Sequence, residues 1–465
     1  MNLIKDCILL SRPPVAHGGE ALGHAHYSYG FAAGYFERMF AQMGVETQAI
    51  SHPEQFKTDA FAKAHGLSLG RYVHLMFRST EHLRPVQGSY NIACFAWEFP
   101  VIKTDGRSDE AVVDQQAHML SLCEEIWTPC SYGVDVLRRN GLENTHYIPA
   151  PVPLPDTSAA GAEAAIKTLS LVESMHLCSA SAPRLHVAER IVTGAVRPLS
   201  MQPWLRQVLS KGGKIFLTVC NPYDLRKNLA NLIDGFLIAA QGRSDCVLIV
   251  KLATSGTRGE PVGYVHEVLK SLFGNPHALD EAQVILVGGY IPDDQMEALY
   301  DLADFYLCSS VAEGQNLPLL EAMGRGCIPV STRNTAMLDY LQEDCGVIIE
   351  ERRYLGLIAG TAADVAGKRF EISSADRFQV AAGVRAALEL SPAQARTKMH
   401  ACREVLLRLF SCKAVFEKIM TRLKAIELGF QFERRPAEAA GNGMHRVTGA
   451  GSPGQAEESG PTQGA

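Results

Sequence analysis

Two glutamates, Glu313 and Glu321, stand eight residues apart in the segment SSVAEGQNLPLLEAMGRGCIPV, which begins at Ser309. The apolar run before it predicts a strand, and Pro318 marks the first turn of a following helix. Gly314, Gln315, Asn316 and Leu317 lie between. A turn there brings backbone N–H groups to a helix start, where a phosphate group is stabilised. Carboxylates flanking such a site accept hydrogen bonds from sugar or ribose hydroxyls. A plainer reading of Glu321, that it serves its own helix's N-terminus, explains the pair equally well.

Positive charge is available at Arg226 and Lys227 in NPYDLRKN, and at Lys251, which ends the apolar run CVLIVK. An isolated Arg-Lys pair before a helix is more often solvated, and Lys251 is otherwise an ordinary strand-end lysine. After the apolar run NIACFA stand Trp97 and Glu98. A carboxylate there can orient or deprotonate a hydroxyl. An indole is a platform for the C–H face of a sugar, or simply core. Gly30, just before FAAGYFERMF, permits close approach of backbone to a phosphate or sugar. His17, His24 and His26 lack metal-ligand spacing and an acidic or Cys partner, so no metal site is expected.

These residues need a scaffold of strands ending at a common edge. CILL, VETQAI, YVHLMF, NIACFAW and EEIWTP read as strands, with helices at FAAGYFERMFAQMG and YGVDVLRRNG; Gly44 closes the first and Ser131 caps the second. A second series begins at Lys214–Cys220. It runs through LANLIDGFLIAAQ, CVLIVKL, GYVHEVLKSLF, VILVGG, DDQMEALYDLA, DFYLCSS, PLLEAMGRG and IPVST. Alternating strands and helices imply an α/β fold of two Rossmann-like domains, with ligands at the strand C-termini and chemistry in the cleft between them. The expected organisation is an N-terminal domain over 1–155, a connector or insertion of unassigned structure over 156–213, and a second domain over 214–410. A helix over 411–430 follows, with Val415, Ile419, Leu423 and Ile426 on one buried face, and then a disordered tail over 434–465.

Composition narrows the function classes. Charged residues make up 20% and hydrophobic ones 47%, enough apolar material for full cores. A net charge of -6 gives no basic footprint, which argues against nucleic-acid binding. The twelve cysteines include no Cys-x-x-Cys and sit mostly in apolar runs, so they read as buried free thiols. The first residues lack a signal-peptide core, and no apolar stretch reaches the roughly 18 residues of a membrane span. A cytoplasmic protein is expected, with peripheral association at the inner membrane face as the further option.

The pattern E-G-x-x-L-P-L-L-E-A-M-x-x-G-x-x-P-V resembles the donor-site signature of retaining GT-B glycosyltransferases of glycosyltransferase family 4, the glycosyl transferases group 1. NPYDLRKNLANLIDGF, EEIWTPCSYGVDVLRRNG and FSCKAVFEKI resemble further parts of that family, over about 71–155 and 214–430. The resemblance implies a GT-B fold whose C-terminal helix crosses back to the N-terminal domain. It implies transfer of a hexosyl unit from a nucleotide-diphosphate sugar to a glycan or lipid-linked hydroxyl, with retention, no cofactor and no metal. It assigns Glu313 to the donor sugar, Glu321 to the ribose hydroxyls, and Gly314, Gln315, Asn316 and Leu317 to the diphosphate and sugar. Lys227 would neutralise the leaving diphosphate, as a charge beside a departing phosphate must. Where many members carry a further arginine, this chain has Asn221, leaving Arg226 or Lys251 to supply a second charge. Where many carry a His-Asp pair it has Trp97 and Glu98. A sugar-nucleotide epimerase or hydrolase, and a non-catalytic nucleotide-sugar-binding component of polysaccharide assembly, are the alternatives. A nicotinamide dehydrogenase is disfavoured because no G-x-G-x-x-G opens the first helix.

Overall fold

The computed structural model describes residues 8–12, 25–58, 72–102, 116–155, 161–169, 173–176, 199–253, 283–288, 290–356 and 370–433. The expected helix over GYVHEVLKSLF and the tail over 434–465 lie outside them.

The N-terminal domain is a parallel sheet of β1 (Ile8–Ser11), β2 (Thr47–Ile50), β3 (Val73–Met76), β4 (Tyr90–Cys94), β5 (Glu125–Thr128) and β6 (Thr145–Tyr147), in the order β2-β1-β3-β4-β5-β6. Helix α1 (Ala25–Gln42) follows β1 and buries Ala33, Phe36, Met39 and Phe40, a spacing of three and four residues that keeps them on one face. Gly44, at φ 71°, takes the left-handed conformation that ends the helix. Helices α2 (Gln116–Ser121) and α3 (Ser131–Arg139) complete the domain. Cys130, not Ser131, caps α3, its sulfur accepting from the Gly133 amide.

The second domain is built on the parallel strands β9 (Lys214–Cys220), β10 (Cys246–Leu252), β11 (Gln283–Val287), β12 (Phe305–Cys308), β13 (Ile328–Ser331) and β14 (Val347–Ile348). All seven residues of β10 are buried, as a central strand covered on both faces requires. Its side chains alternate: Val247 and Ile249 join one core with Ile215 and Leu217, while Leu248 and Val250 join a second with Phe216. Helix α6 (Leu229–Ala240) covers the second face with Leu232, Ile233 and Phe236.

The segment without a class in the sequence feeds this second domain. Helices α4 (Ala162–Thr168) and α5 (Gln202–Ser210) place Ala165, Ile166, Leu205 and Val208 in the core with Ile215 and Val247. Strands β7 (Glu173–His176) and β8 (Leu199–Ser200) extend the sheet antiparallel beyond β11, giving the order β14-β13-β12-β9-β10-β11-β7-β8. The remaining elements are α7 (Asp293–Leu302), α8 (Leu317–Gly324), the hairpin strands β15 (Arg352–Gly356) and β16 (Phe370–Ser374), α9 (Arg377–Leu388) and α10 (Pro392–Leu409).

Helix α11 (Cys412–Glu433) returns to the first domain. Val415, Ile419, Leu423 and Ile426 pack there with Ile8, Leu10, Phe36, Phe40 and Val73. Arg422 on the same helix binds both carboxylate oxygens of the buried Glu125 at the start of β5, its Nε at 2.9 and 3.0 Å. A fully desolvated carboxylate is costly unless paired in this way. The helix therefore fixes how the two domains face each other.

Candidate functional site

The C-terminal ends of both sheets open onto one cavity of about 1110 Å³ lined by both domains. On the first domain it is bounded by α1 and the loop Ala96–Phe99 after β4; on the second, by the loops after β9, β10 and β12. This is where doubly wound sheets place their ligands.

The loop after β12 carries Glu313, which is 5% exposed. Its Oε1 accepts from Lys227 Nζ at 2.6 Å. Lys227 comes from the turn after β9, so two loops 86 residues apart in sequence meet in one ion pair. Burial works most strongly against the Lys227 charge, but the charge and hydrogen bond of Glu313 together with Asp224 outweigh it, so the ammonium is held above its ordinary pKa. Asn316 caps α8 at φ 64°, a left-handed conformation that asparagine tolerates. Gly314 has a steric reason to be glycine: an added Cβ would lie 3.1 Å from Ala96 Cβ of the opposite domain and 3.5 Å from Glu98 Oε2.

Arg226 is enclosed. Its Nε donates to Asp224 Oδ1 at 3.0 Å and one terminal nitrogen to Oδ2 at 2.6 Å, while the other pairs with Glu98 across the cleft. Burial opposes its charge, but Glu98 and Asp224 more than offset this and raise its pKa. Asp224 is displaced downward: burial pushes up, but Arg226 and Lys227 push down harder. Glu98 moves the other way. Burial raises its pKa, and the nearby Glu313 and Asp224 add to this against the pull of Arg226. Between the two candidates for a second phosphate cation, Arg226 is thus neutralised by two carboxylates. Lys251 is 3% exposed, lines the cleft, and hydrogen bonds to the Leu252 carbonyl at 3.0 Å. Burial lowers its pKa to about 8, with Cys220 opposing.

Glu321, inside α8, is half-buried and held between two phenols. Tyr300 on α7 donates to Oε2 at 2.8 Å, and Tyr35 on α1 of the first domain donates to Oε1. Burial raises the Glu321 pKa and the two hydrogen bonds restrain it.

The structure places four more of the residues singled out in the sequence. Helix α1 begins at Ala25, so Gly30 lies inside it and not in a loop before it. The helix reaches further back because the stretch Ala25–Gly30 (AHYSYG) carries no apolar period to read. Trp97 is 6% exposed; Phe95 stacks on it at 5.5 Å and its N–H donates to the Val101 carbonyl at 2.8 Å, so most of the ring is packed in the core and only an edge of it lines the cavity. The side chain of Gln315 is committed to the first domain, accepting from the Ala150 amide at 3.0 Å and donating to the Ala150 carbonyl at 2.8 Å. Asn221 accepts from the Tyr223 amide at 3.0 Å and shapes the turn leading to Lys227. His17 and His24 lie outside the described residues, as does the His26 side chain. Among the described residues no cluster of His, Cys, Asp or Glu is arranged to hold a metal ion, and no helix is long and apolar enough to cross a membrane.

Sequence reasoning missed Tyr35, Tyr300 and Asp224. Both tyrosines sit in apolar helical patterns that read as core. Asp224 carried a usable signal, since an aspartate two residues before an arginine in a turn can both cap it and clamp the guanidinium.

The architecture defines a class: a two-domain α/β protein of GT-B fold. Sucrose-phosphate synthase from Thermosynechococcus elongatus has a similar structure, with a TM-score of 0.52 at 12% identity over 91% of this chain and 100% of that one. HepE from Anabaena, solved in complex with UDP-glucose, gives 0.50 at 13% identity over 90% and 100%. TarM from Staphylococcus aureus gives 0.44 at 11% identity over 78% of this chain, which spans only 57% of TarM's length. No curated protein matches this sequence. Residues 213–362 match the family model of glycosyl transferases group 1.

Proposed function

We propose that the protein is a retaining glycosyltransferase that moves a hexosyl unit from a nucleotide-diphosphate sugar to a hydroxyl of a glycan or lipid-linked acceptor. The observation that carries this reading is the Lys227–Glu313 ion pair beside the start of α8, in a cleft formed by both domains. A sugar diphosphate entering the cleft can exchange partners with this pair. Lys227, assisted by Lys251 and the α8 N-terminus, takes the diphosphate, and Glu313 is released to accept hydrogen bonds from sugar hydroxyls. As the bond from the anomeric carbon to the phosphate oxygen breaks, negative charge grows on the leaving group next to a fixed ammonium. That is stabilisation specific to the transition state.

Glu321 is suited to the ribose hydroxyls. Glu98, raised in pKa and aimed at Gly314, is suited to orient the acceptor hydroxyl and take its proton. In the retaining course the acceptor attacks on the face the diphosphate leaves, and the departing phosphate shares in deprotonation. The acceptor brings the protein to glycans or to lipid carriers at the inner membrane face, from a cytoplasmic location.

The test is incubation with a panel of sugar nucleotides and glycan acceptors, with the product's anomeric configuration read by NMR. Transfer with retention, lost in Glu313→Ala, is expected. Absence of both transfer and slow donor hydrolysis, or activity indifferent to Glu313→Ala, sinks the reading.

A further inference from the structure

Both carboxylate oxygens of Glu321 are already engaged, and by different domains. Tyr300 reaches Oε2 from α7 of the same domain and is 4% exposed. Tyr35 reaches Oε1 from α1, 286 residues away in sequence and across the cleft. The Tyr35 ring is held edge-on against Phe31 at 6.4 Å, with the Arg38 guanidinium 4.7 Å from its centre, and both of those residues line the cavity. Burial and the Glu321 charge raise the pKa of both phenols, so each stays a hydrogen-bond donor.

Each carboxylate oxygen can accept a second hydrogen bond, but a ribose hydroxyl that approaches Oε1 from the cleft, as the proposed function holds, competes with the phenol of Tyr35, which lines the same cavity. Tyr300 is fixed within the same packed domain as the carboxylate. Tyr35 belongs to the opposite wall, and its hold on Glu321 lasts only while the two domains keep their present spacing.

We propose that Tyr35 is a donor-gating residue: its hydroxyl occupies the ribose-binding oxygen of Glu321 in the empty cleft and gives it up to the nucleotide. The exchange replaces one O–H donor by another on the same carboxylate oxygen, so no polar group is stranded. It also couples nucleotide arrival to release of a domain-to-domain contact. Tyr300, by contrast, is a positioning residue that holds the carboxylate in place for the incoming hydroxyl. The inference rests on the proposed function.

Isothermal titration of UDP, GDP, ADP and dTDP into wild type, Tyr35→Phe and Tyr300→Phe tests it. Tyr35→Phe keeps the ring and its packing and removes only the competing donor. For the nucleotide that binds, Tyr35→Phe should tighten affinity about tenfold, the scale of one hydrogen bond to a charged group. Tyr300→Phe should weaken it. Unchanged or weaker binding by Tyr35→Phe overturns the proposal, because the phenol would then support the ribose rather than compete with it. If no nucleotide binds either protein, the gate and the proposed function fail together. Tighter binding in Tyr35→Phe without any glycosyl transfer supports the gate and removes only the transferase reading.

Discussion

Lys251→Met replaces the one lysine on a fully buried strand and gives a quantitative test of how the cleft holds charge. Lys251 is 3% exposed, and burial brings its pKa from 10.5 to about 8. At pH 7 the amine is charged in both folded and unfolded chains. The interval between those two values then corresponds to about 3 kcal/mol by which the folded state is disfavoured. Between pH 8 and 10.5 the unfolded chain binds the proton more tightly than the folded one. Wild-type stability therefore gains from this group as pH rises through that window, and the handicap is gone above it. Methionine fills a similar volume without the amine, so Lys251→Met should raise the melting temperature of the second domain by about 6–12 °C at pH 7. The advantage should shrink as pH rises toward 10.5. Nucleotide diphosphate binding should move in the opposite direction: weaker in the variant, and free of the decline above pH 8 that deprotonation of Lys251 causes in wild type. Thermal unfolding and titration across pH 7–10 read both effects. A variant less stable than wild type at pH 7, or a stability difference that does not change with pH, refutes the argument.

Glu98→Gln should lower transfer by about 10²–10⁴-fold while leaving slow donor hydrolysis, the magnitude of a lost general base. In wild type, transfer should fall as pH drops through the raised Glu98 pKa, and that limb should vanish in the variant. Gly314→Ala puts a methyl 3.1 Å from Ala96 Cβ and should push the two walls apart, seen as a donor KM raised about tenfold or more in steady-state kinetics with little loss of stability. Ile419→Ala, at a fully buried position of α11, should cost about 2–5 kcal/mol by denaturant unfolding and loosen the first domain.

Legibility followed how local the physics was. Strands β9 and β10 were readable to the residue, because a strand covered on both faces must be a continuous apolar run. The buried face of α11 was readable from the three- and four-residue spacing of Val415, Ile419, Leu423 and Ile426. Strands β7 and β8 were not. They are short and partly polar; β8 pairs only with β7, and the pairing of β7 with β11 is decided by chain more than a hundred residues later. In the site, Glu313, Lys227 and Glu321 could be singled out because their loops carry a dense local motif. Their partners could not. Tyr35 and Tyr300 differ from core tyrosines only by the carboxylate they meet after folding. A strand-end tryptophan such as Trp97 looks the same in sequence whether its face is open or covered by Phe95.

The central claim is that this cleft holds a sugar diphosphate on Lys227 and helps break its glycosyl–phosphate bond. The most direct measurement is nucleoside diphosphate release from a sugar-nucleotide panel by wild type and Lys227→Ala. The account predicts release from at least one donor, reduced by about 10²-fold or more in the variant, as expected for loss of one fixed charge at a developing anion. Release that survives Lys227→Ala unchanged, or no release from any donor, would contradict it.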